Sequence, residues 1–279
     1  MIKYNTHDWF KLIFQFHKSD TFRRLLPSMF LVAIYATGIA VLEIEIWDLR
    51  YKSTTALHSL LGMVISLLLV FRTNTAYERW WEGRKLWGSL VNSSRNLAMK
   101  LNAMIAADDI VSRNELQRLI ALYPEVLKLH LRDSKHEAYS HIIHQPNAVA
   151  YDILKYINEL YKQQKLTGDQ LIILNTELNT MADVCGACER IRKTPIPYSY
   201  SMFLKKFIFV YVMTIPFGFI REFGYLIIPA VTFVFYVLVS LEIIAEEIED
   251  PFGEDSNDLP TDEIALTISN NTAEIFKRV

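Results

Sequence analysis

The stretch Ala56-Leu-His-Ser-Leu-Leu-Gly-Met-Val-Ile-Ser-Leu-Leu-Leu-Val-Phe71 decides the architecture of this chain. It carries no charged residue, and as an α-helix it would be about 24 Å long, slightly short of a bilayer core of roughly 30 Å. Its small and polar members, His58, Ser59, Gly62 and Ser66, are poorly suited to lipid on every side. We therefore predict a transmembrane helix that packs inside an assembly or lines water.

The composition combines a lipid-like and a polar population of residues. Of the 279 residues, 51% are hydrophobic and 22% are charged. Most of the hydrophobic residues in excess of an ordinary soluble protein lie in this stretch and in three further apolar windows, at 25–42, 207–220 and 225–245. A net charge of −2 excludes a strongly basic nucleic-acid binder, and two cysteines exclude a disulfide-stapled scaffold. Because the first window begins only after Arg24 and is long, we expect no cleavable signal peptide.

Basic residues indicate how the four predicted spans are oriented. They cluster before the first window, after the second and before the third, so these three regions are predicted to be cytoplasmic. The chain is therefore predicted to be a multi-pass membrane protein with both termini in the cytoplasm. Its predicted parts are a cytosolic N-terminal segment (1–24), transmembrane helices 1 and 2 (25–71, with the pore helix at 56–71), a cytosolic helical domain (72–206), transmembrane helices 3 and 4 (207–245) and an acidic cytosolic tail (246–279).

The intracellular part is predicted to be helical, which makes the fold all-α. The second span is expected to continue to about Met104, and the capping-box pattern from Ser112 to Glu115 predicts a helix that ends near Leu131. Further helices are predicted at about 148–165 and from about 169 to just before Pro195. The last of these carries apolar residues at alternating steps of three and four, a seam that needs a partner helix: Leu171, Leu174, Leu178, Met181, Cys185 and Cys188.

The pair Cys185 and Cys188 is a candidate for thiol or metal chemistry. A Cys-x-x-Cys spacing can bind metal or exchange disulfides, but both sulfurs fall on the apolar seam, late in a helix, which favours buried core thiols. A membrane-tethered thiol or metal protein stays the alternative from another functional class. No catalytic motif is present elsewhere, so we predict that the chain is not an enzyme.

Two polar regions admit more than one interpretation. Four histidines straddle a predicted loop, where solvated side chains are favoured over a metal site: His130, His136, His141 and His144. The acidic tail after Glu246 can act as a solvated helix end or as an oxygen cage for a hard cation such as Ca2+. The pair Trp80 and Trp81 is typical either of a membrane interface or of specific packing against a neighbouring helix or subunit.

One stripe on the second span is suggestive of a pore. Met63, Leu67 and Phe71 are spaced four and four, so they share a helix face. Such a stripe is usually core on a single helix. In a symmetric ring of copies, however, it makes a stack of apolar rings that gates by dewetting.

Three motifs together resemble the bestrophin family of ion channels in its bacterial branch. They are Phe71-Arg-Thr-Asn-Thr-Ala-Tyr-Glu-Arg-Trp-Trp81, Arg192-Lys-Thr-Pro-Ile-Pro197 and Asp250-Pro-Phe-Gly-Glu-Asp255. Their order and spacing match over nearly the whole chain. The resemblance implies a homopentamer around one axial pore, with an apolar neck on the second span and a second constriction at the cytosolic exit.

Carried over by position, the neck falls on Met63, Leu67 and Phe71, and the exit constriction falls near Leu178 or Met181. The calcium clasp of animal members corresponds to four acidic positions of the tail: Glu247, Asp250, Asp255 and Asp258. Here Ser256 and Asn257 interrupt the longer acidic run of animal relatives, so no cofactor is predicted to be required and calcium gating is not expected.

Ion selectivity is predicted from polar groups beside the apolar rings, because such rings discriminate little by charge. Glu177 and Asp183 are candidates for acidic rings, so we predict passive conduction of small monovalent cations, sodium in particular, with a chloride channel of the same architecture as the alternative. The expected partners are further copies of the chain, membrane lipid and the permeating ions.

Overall fold

The computed structural model describes residues 20–47 and 55–278, and it is helical without a strand in this part of the chain, which confirms the all-α prediction. Its α-helices are α1 (Asp20–Val41), α2 (Thr55–Met104), α3 (Ile110–Leu131), α4 (Gln145–Lys162), α5 (Gly168–Lys193), α6 (Tyr198–Phe223), α7 (Ile227–Glu249) and α8 (Thr261–Lys277). A π-helical turn at Leu42–Trp47 extends α1, and short 3-10 helices lie at Glu137–Tyr139 and Gly224–Leu226.

Three described segments are long and apolar enough to cross a membrane: Thr21–Ile46, Thr55–Met104 and Tyr198–Glu249. The third segment consists of two helices, α6 and α7, because the chain turns at Gly224, whose φ of 51° suits a residue without a side chain. Two predicted apolar windows therefore fall in this one segment. Most of the predicted N-terminal segment lies outside the described residues.

The chain divides into two compact units. Of the described residues, those of 20–78 and Pro195–Glu249 form one unit, here called the apolar unit, and those of Arg79–Thr194 and 250–278 form the other, called the bundle unit. Helix α2 contributes to both. The division into membrane and cytosolic segments that the sequence suggested stays a prediction.

In the apolar unit α1 packs against α7, and α7 packs against α6. Two glycines allow α2 to approach α6 closely: a Cβ on Gly62 would lie 2.7 Å from the Tyr211 hydroxyl, and one on Gly218 would lie 2.9 Å from the His58 ring. The outward faces of this unit are rich in exposed large apolar side chains, such as Phe30. Such a surface is compatible with lipid.

In the bundle unit α3 packs against α4, α5 and α8, and α4 packs against α5. The core contains Trp87 of α2 and the predicted seam of α5, whose Leu174, Met181 and Cys188 are fully buried. The partner helix that this seam required is therefore present within the chain. The Tyr123 hydroxyl of α3 donates to the Met181 carbonyl oxygen at 2.8 Å.

Helix starts differ from the sequence prediction in two places. Helix α3 is capped by Asp109 rather than by Ser112, since the Asp109 carboxylate accepts from the backbone N–H and hydroxyl of Ser112. Helix α4 begins at Gln145, three residues earlier than predicted, because His144 caps it and Pro146 fits its first turn.

The C-terminal region is more ordered than an acidic tail suggests. Helix α8 lies in the core through Ile268 and Phe276, and the turn before it buries Phe252 against Gly83. Arg132 donates to the Phe252 carbonyl oxygen and to the Asp262 carboxylate, which attaches both the turn and α8 to α3. The periodic apolar residues of α8 are the signal that predicts this helix.

Candidate functional site

The predicted neck residues lie on one exposed stripe of α2. Met63 is 73% exposed, and Leu67 and Phe71 are each 56% exposed. Leu60, which the sequence analysis did not assign, is exposed on the same face one turn earlier. This face therefore lacks a partner within the described chain.

The opposite face of α2 is buried in the apolar unit. Ile65 and Leu69 lie in its core, and the Nε2 atom of His58 lies 3.0 Å from the Thr214 carbonyl oxygen. The exposed hydroxyls of Ser59 and Ser66 donate to carbonyl oxygens one turn earlier in their own helix. The two serine hydroxyls of this segment are thus satisfied within their own helix, and its exposed stripe is apolar.

A buried ionic cluster begins at the residue after the stripe. The Arg72 guanidinium is almost fully buried and lies 2.7 Å from a Glu249 carboxylate oxygen and 3.5 Å from one of Glu242. Glu249 also accepts the backbone N–H of Ile196. This cluster is not predicted by any motif of the sequence, although the lone carboxylate of Glu242 in an apolar window indicates that a buried partner is required.

The predicted exit constriction does not agree with the packing of α5. Met181 is fully buried and Leu178 is only 7% exposed, because both side chains point into the core of the bundle unit. A fully buried side chain has no surface with which to line a pore, so the assignment to Met181 is wrong for this fold. The position of the exit constriction stays a prediction.

The two predicted selectivity residues differ in their surroundings. Glu177 is buried, and its carboxylate lies 2.7 Å from the Lys100 ammonium group, so its charge is balanced within the chain. Asp183 is exposed. Of the two, Asp183 alone presents a carboxylate at the surface of the described chain.

The acidic positions of the tail are not arranged as one cluster of ligand atoms. Asp258 is buried, and its Oδ2 accepts the backbone N–H of Asp255 at 2.7 Å, which tightens the turn. Within the described residues, three metal-binding side chains come close together elsewhere in the bundle unit, and that group includes none of Glu247, Asp250, Asp255 and Asp258. The role of calcium stays a prediction.

The turn before α8 is held in place by the side chain of Trp80. The indole N–H of Trp80 donates to the Asn257 carbonyl oxygen at 3.0 Å, whereas Trp81 is exposed. Of the two interpretations of this pair, specific packing therefore applies to Trp80, within its own chain.

The cysteines have the properties of core residues. Both thiols are buried and free. Burial raises the pKa of Cys185 to about 12, and burial and the neighbouring Cys185 raise the pKa of Cys188 further. Since the thiolate is the reactive form, these values oppose the thiol-exchange alternative.

The histidines are not a set of solvated side chains. His130 of α3 and His144 at the start of α4 lie with their ring centroids 4.8 Å apart, and both contact Glu189 of α5. The expectation of solvated side chains is wrong for these two, because the loop folds back and brings them together. His141 is exposed, as predicted.

The fold, with three segments long and apolar enough to cross a membrane, is typical of a helical membrane protein. A family model described as Bacterial/Fungal Bestrophin protein matches residues 1–274. The chain belongs to this family of ion channels, and the predicted resemblance is confirmed.

Relatives and solved structures agree with this assignment. The chain is 33% identical to the voltage-dependent anion channel-forming protein sll1024 of Synechocystis sp., over 87% of this chain and 84% of that protein. It is also 33% identical to the voltage-dependent anion channel-forming protein YneE of Escherichia coli, over 97% and 94% of the two chains. A crystal structure of a bacterial bestrophin homologue from Klebsiella pneumoniae aligns with a TM-score of 0.83 and 25% identity, covering 90% of this chain and 98% of that one.

Proposed function

We propose that the chain forms a passive channel for small anions whose narrow neck is lined by Met63, Leu67 and Phe71. The observation that carries the proposal is the exposed apolar stripe on α2, directly opposite a buried face. In a ring of identical subunits each position on the stripe contributes one apolar ring, and stacked rings hinder the entry of water and ions until they widen.

The proposed assembly is a homopentamer in the bacterial inner membrane, with four crossings and both termini in the cytoplasm. Segments Thr21–Ile46 and Thr55–Met104 supply one crossing each, and α6 and α7 supply two, because the three residues at Gly224–Leu226 separate two helices that pack against each other. The basic residues beside these segments support this orientation.

Anions are proposed in place of the cations that the sequence analysis favoured. The prediction of a sodium preference relied partly on Glu177, whose charge Lys100 balances, and it has no support from the relatives, whose names describe anion channel-forming proteins. The chloride alternative fits those names better. Asp183 stays exposed, and its carboxylate is the group that would favour cations.

The neck is tested by Leu67→Ala in purified protein reconstituted into liposomes or planar bilayers. Removing an apolar ring lowers the barrier to wetting, so we expect a higher conductance per channel. Leu31→Ala is a matched control, since Leu31 is similarly exposed, at 66%, and lies on α1 rather than on the helix that carries the stripe. Equal conductance of the Leu67 variant and the wild type, in correctly assembled protein, would refute the neck.

Selectivity is tested by the reversal potential in asymmetric NaCl. A value near the chloride equilibrium potential is expected, whereas a value near that of sodium would overturn the anion proposal and leave the neck intact. The Cys185→Ser, Cys188→Ser double variant is expected to conduct normally, and loss of conduction in folded pentamers would support the thiol alternative.

A further inference from the structure

The loop between α3 and α4 brings three metal-binding side chains together from three helices of the bundle unit. His130 lies at the end of α3, His144 at the start of α4 and Glu189 near the end of α5. One potential ligand atom from each side chain lies within 4.8 Å of the other two. We propose that these three residues form a binding site for one divalent transition-metal ion of the zinc type.

The contacts between the side chains are close to what such an ion needs. The Nε2 atoms of His130 and His144 lie 2.6 Å and 3.1 Å from the same Glu189 oxygen. Ligand atoms around a tetrahedral zinc ion are about 3.4 Å apart, so small side-chain movements open enough space for the ion. The three groups are already converged, and little of the binding energy is needed to order them.

The donor set selects the class of metal. Two imidazole nitrogens with one carboxylate oxygen are typical zinc ligands, whereas Ca2+ and Mg2+ prefer sites made of oxygen atoms alone. Three protein ligands leave a fourth position open, and the three side chains are only partly buried, so water and the ion can enter. The Glu189 charge offsets part of the charge of the ion.

Two neighbouring interactions compete with the ion. The Lys193 ammonium group lies 3.5 Å from the same Glu189 oxygen, but Lys193 is exposed and can turn towards water. His144 Nδ1 accepts the backbone N–H of Asn147, so the neutral ring carries its proton on Nε2. Binding a metal through Nε2 moves this proton to Nδ1 and removes the cap of α4. The site therefore exchanges a helix cap for a metal ligand.

The proposal is tested by zinc titration of the whole purified chain in detergent, after EDTA treatment and with a purification tag free of histidine. Isothermal titration calorimetry with ZnCl2 is expected to show one ion per chain, and Ca2+ or Mg2+ at the same concentrations is expected to give no such binding. Loss of one ligand in His130→Ala or Glu189→Gln is expected to weaken zinc binding at least about tenfold.

Two further variants separate the metal site from the structural roles of its residues. His144→Asn keeps a side chain that caps helices well and removes the imidazole, so it is expected to retain the metal-free melting temperature and to lose zinc binding. His141→Ala is the matched control, because it removes an exposed histidine from the same loop and is expected to bind zinc like the wild type. Unchanged zinc binding by His144→Asn and His130→Ala, or no zinc binding by the wild type, would overturn the proposal. None of these results depends on whether the chain conducts ions.

Discussion

Replacing Arg72 with methionine tests the buried ionic cluster beneath the apolar stripe. The substitution keeps an unbranched apolar side chain and leaves the Glu242 carboxylate buried without its cation, whereas Glu249 keeps the Ile196 N–H. Unit charges 3.5 Å apart attract by about 5 kcal/mol at an effective dielectric constant of about 20. Breaking a buried ion pair by removal of one partner typically costs about 3–5 kcal/mol, so both estimates predict a severe loss of stability.

Thermal unfolding in detergent measures this effect, with an expected decrease in melting temperature of about 6–20 °C at about 2–4 °C per kcal/mol. Adding Glu242→Gln to the Arg72→Met variant removes the stranded charge and is expected to restore at least half of the loss. Lys205→Met is the control, because its pair with Glu246 is largely exposed and worth at most about 1 kcal/mol. A melting temperature for Arg72→Met within about 2 °C of the wild type, or a further decrease on adding Glu242→Gln, would refute the reasoning.

Two further predictions concern titrating groups of the bundle unit. Burial raises the pKa of Cys185 to about 12 and that of Cys188 further, so few thiolates are present at pH 7.4. The native protein is therefore expected to react with a maleimide at least about 1000-fold more slowly than the protein unfolded in SDS. Comparable rates would show that the thiols are accessible. The hydrogen bond from Arg132, with help from Lys128, lowers the pKa of Asp262 from 3.8 to about 2, so its stabilisation is present above pH 4 and is lost as the pH falls from 3.8 to about 2. Asp262→Asn is expected to lower stability by up to about 1 kcal/mol at pH 7, given the exposure of this carboxylate. Melting curves of the variant and the wild type should converge as the pH falls below about 2, and a difference that stays constant down to that range would point to another cause.

Features that follow from local periodicity could be predicted from the sequence. The stripe of Met63, Leu67 and Phe71 was identified because residues four apart share a helix face, and the seam of α5 was identified in the same way. The length of α2 followed from a long stretch without a proline. Motif order was sufficient to indicate the family, because the three motifs occur along nearly the whole chain.

The periodicity of a helix shows which residues share a face, but it does not show whether that face points into the core or towards solvent. The assignment of Met181 to the exit constriction was wrong for this reason. At Met181 two predictions conflict: the apolar seam of α5 predicts a buried side chain, and the family resemblance predicts an exposed one. Met181 is buried, because α3 and α4 cover that face of α5. The prediction of ion selectivity was limited in the same way, because it depended on the surroundings of a side chain. Glu177 carries a charge in the sequence, but the nearby Lys100 balances it, and such a neighbour 77 residues away leaves no local signal.

The sequence by itself determined the helices, their apolar faces and the family of this protein, because helix periodicity and short motifs are local properties of the chain. The tertiary structure alone decided which charges are buried together and which ligand atoms converge. Arg72 meets Glu242 and Glu249, and His130 meets His144 and Glu189, only after helices distant in sequence have packed. Such long-range pairs depend on packing, which acts between segments and is not encoded in the spacing of any one of them.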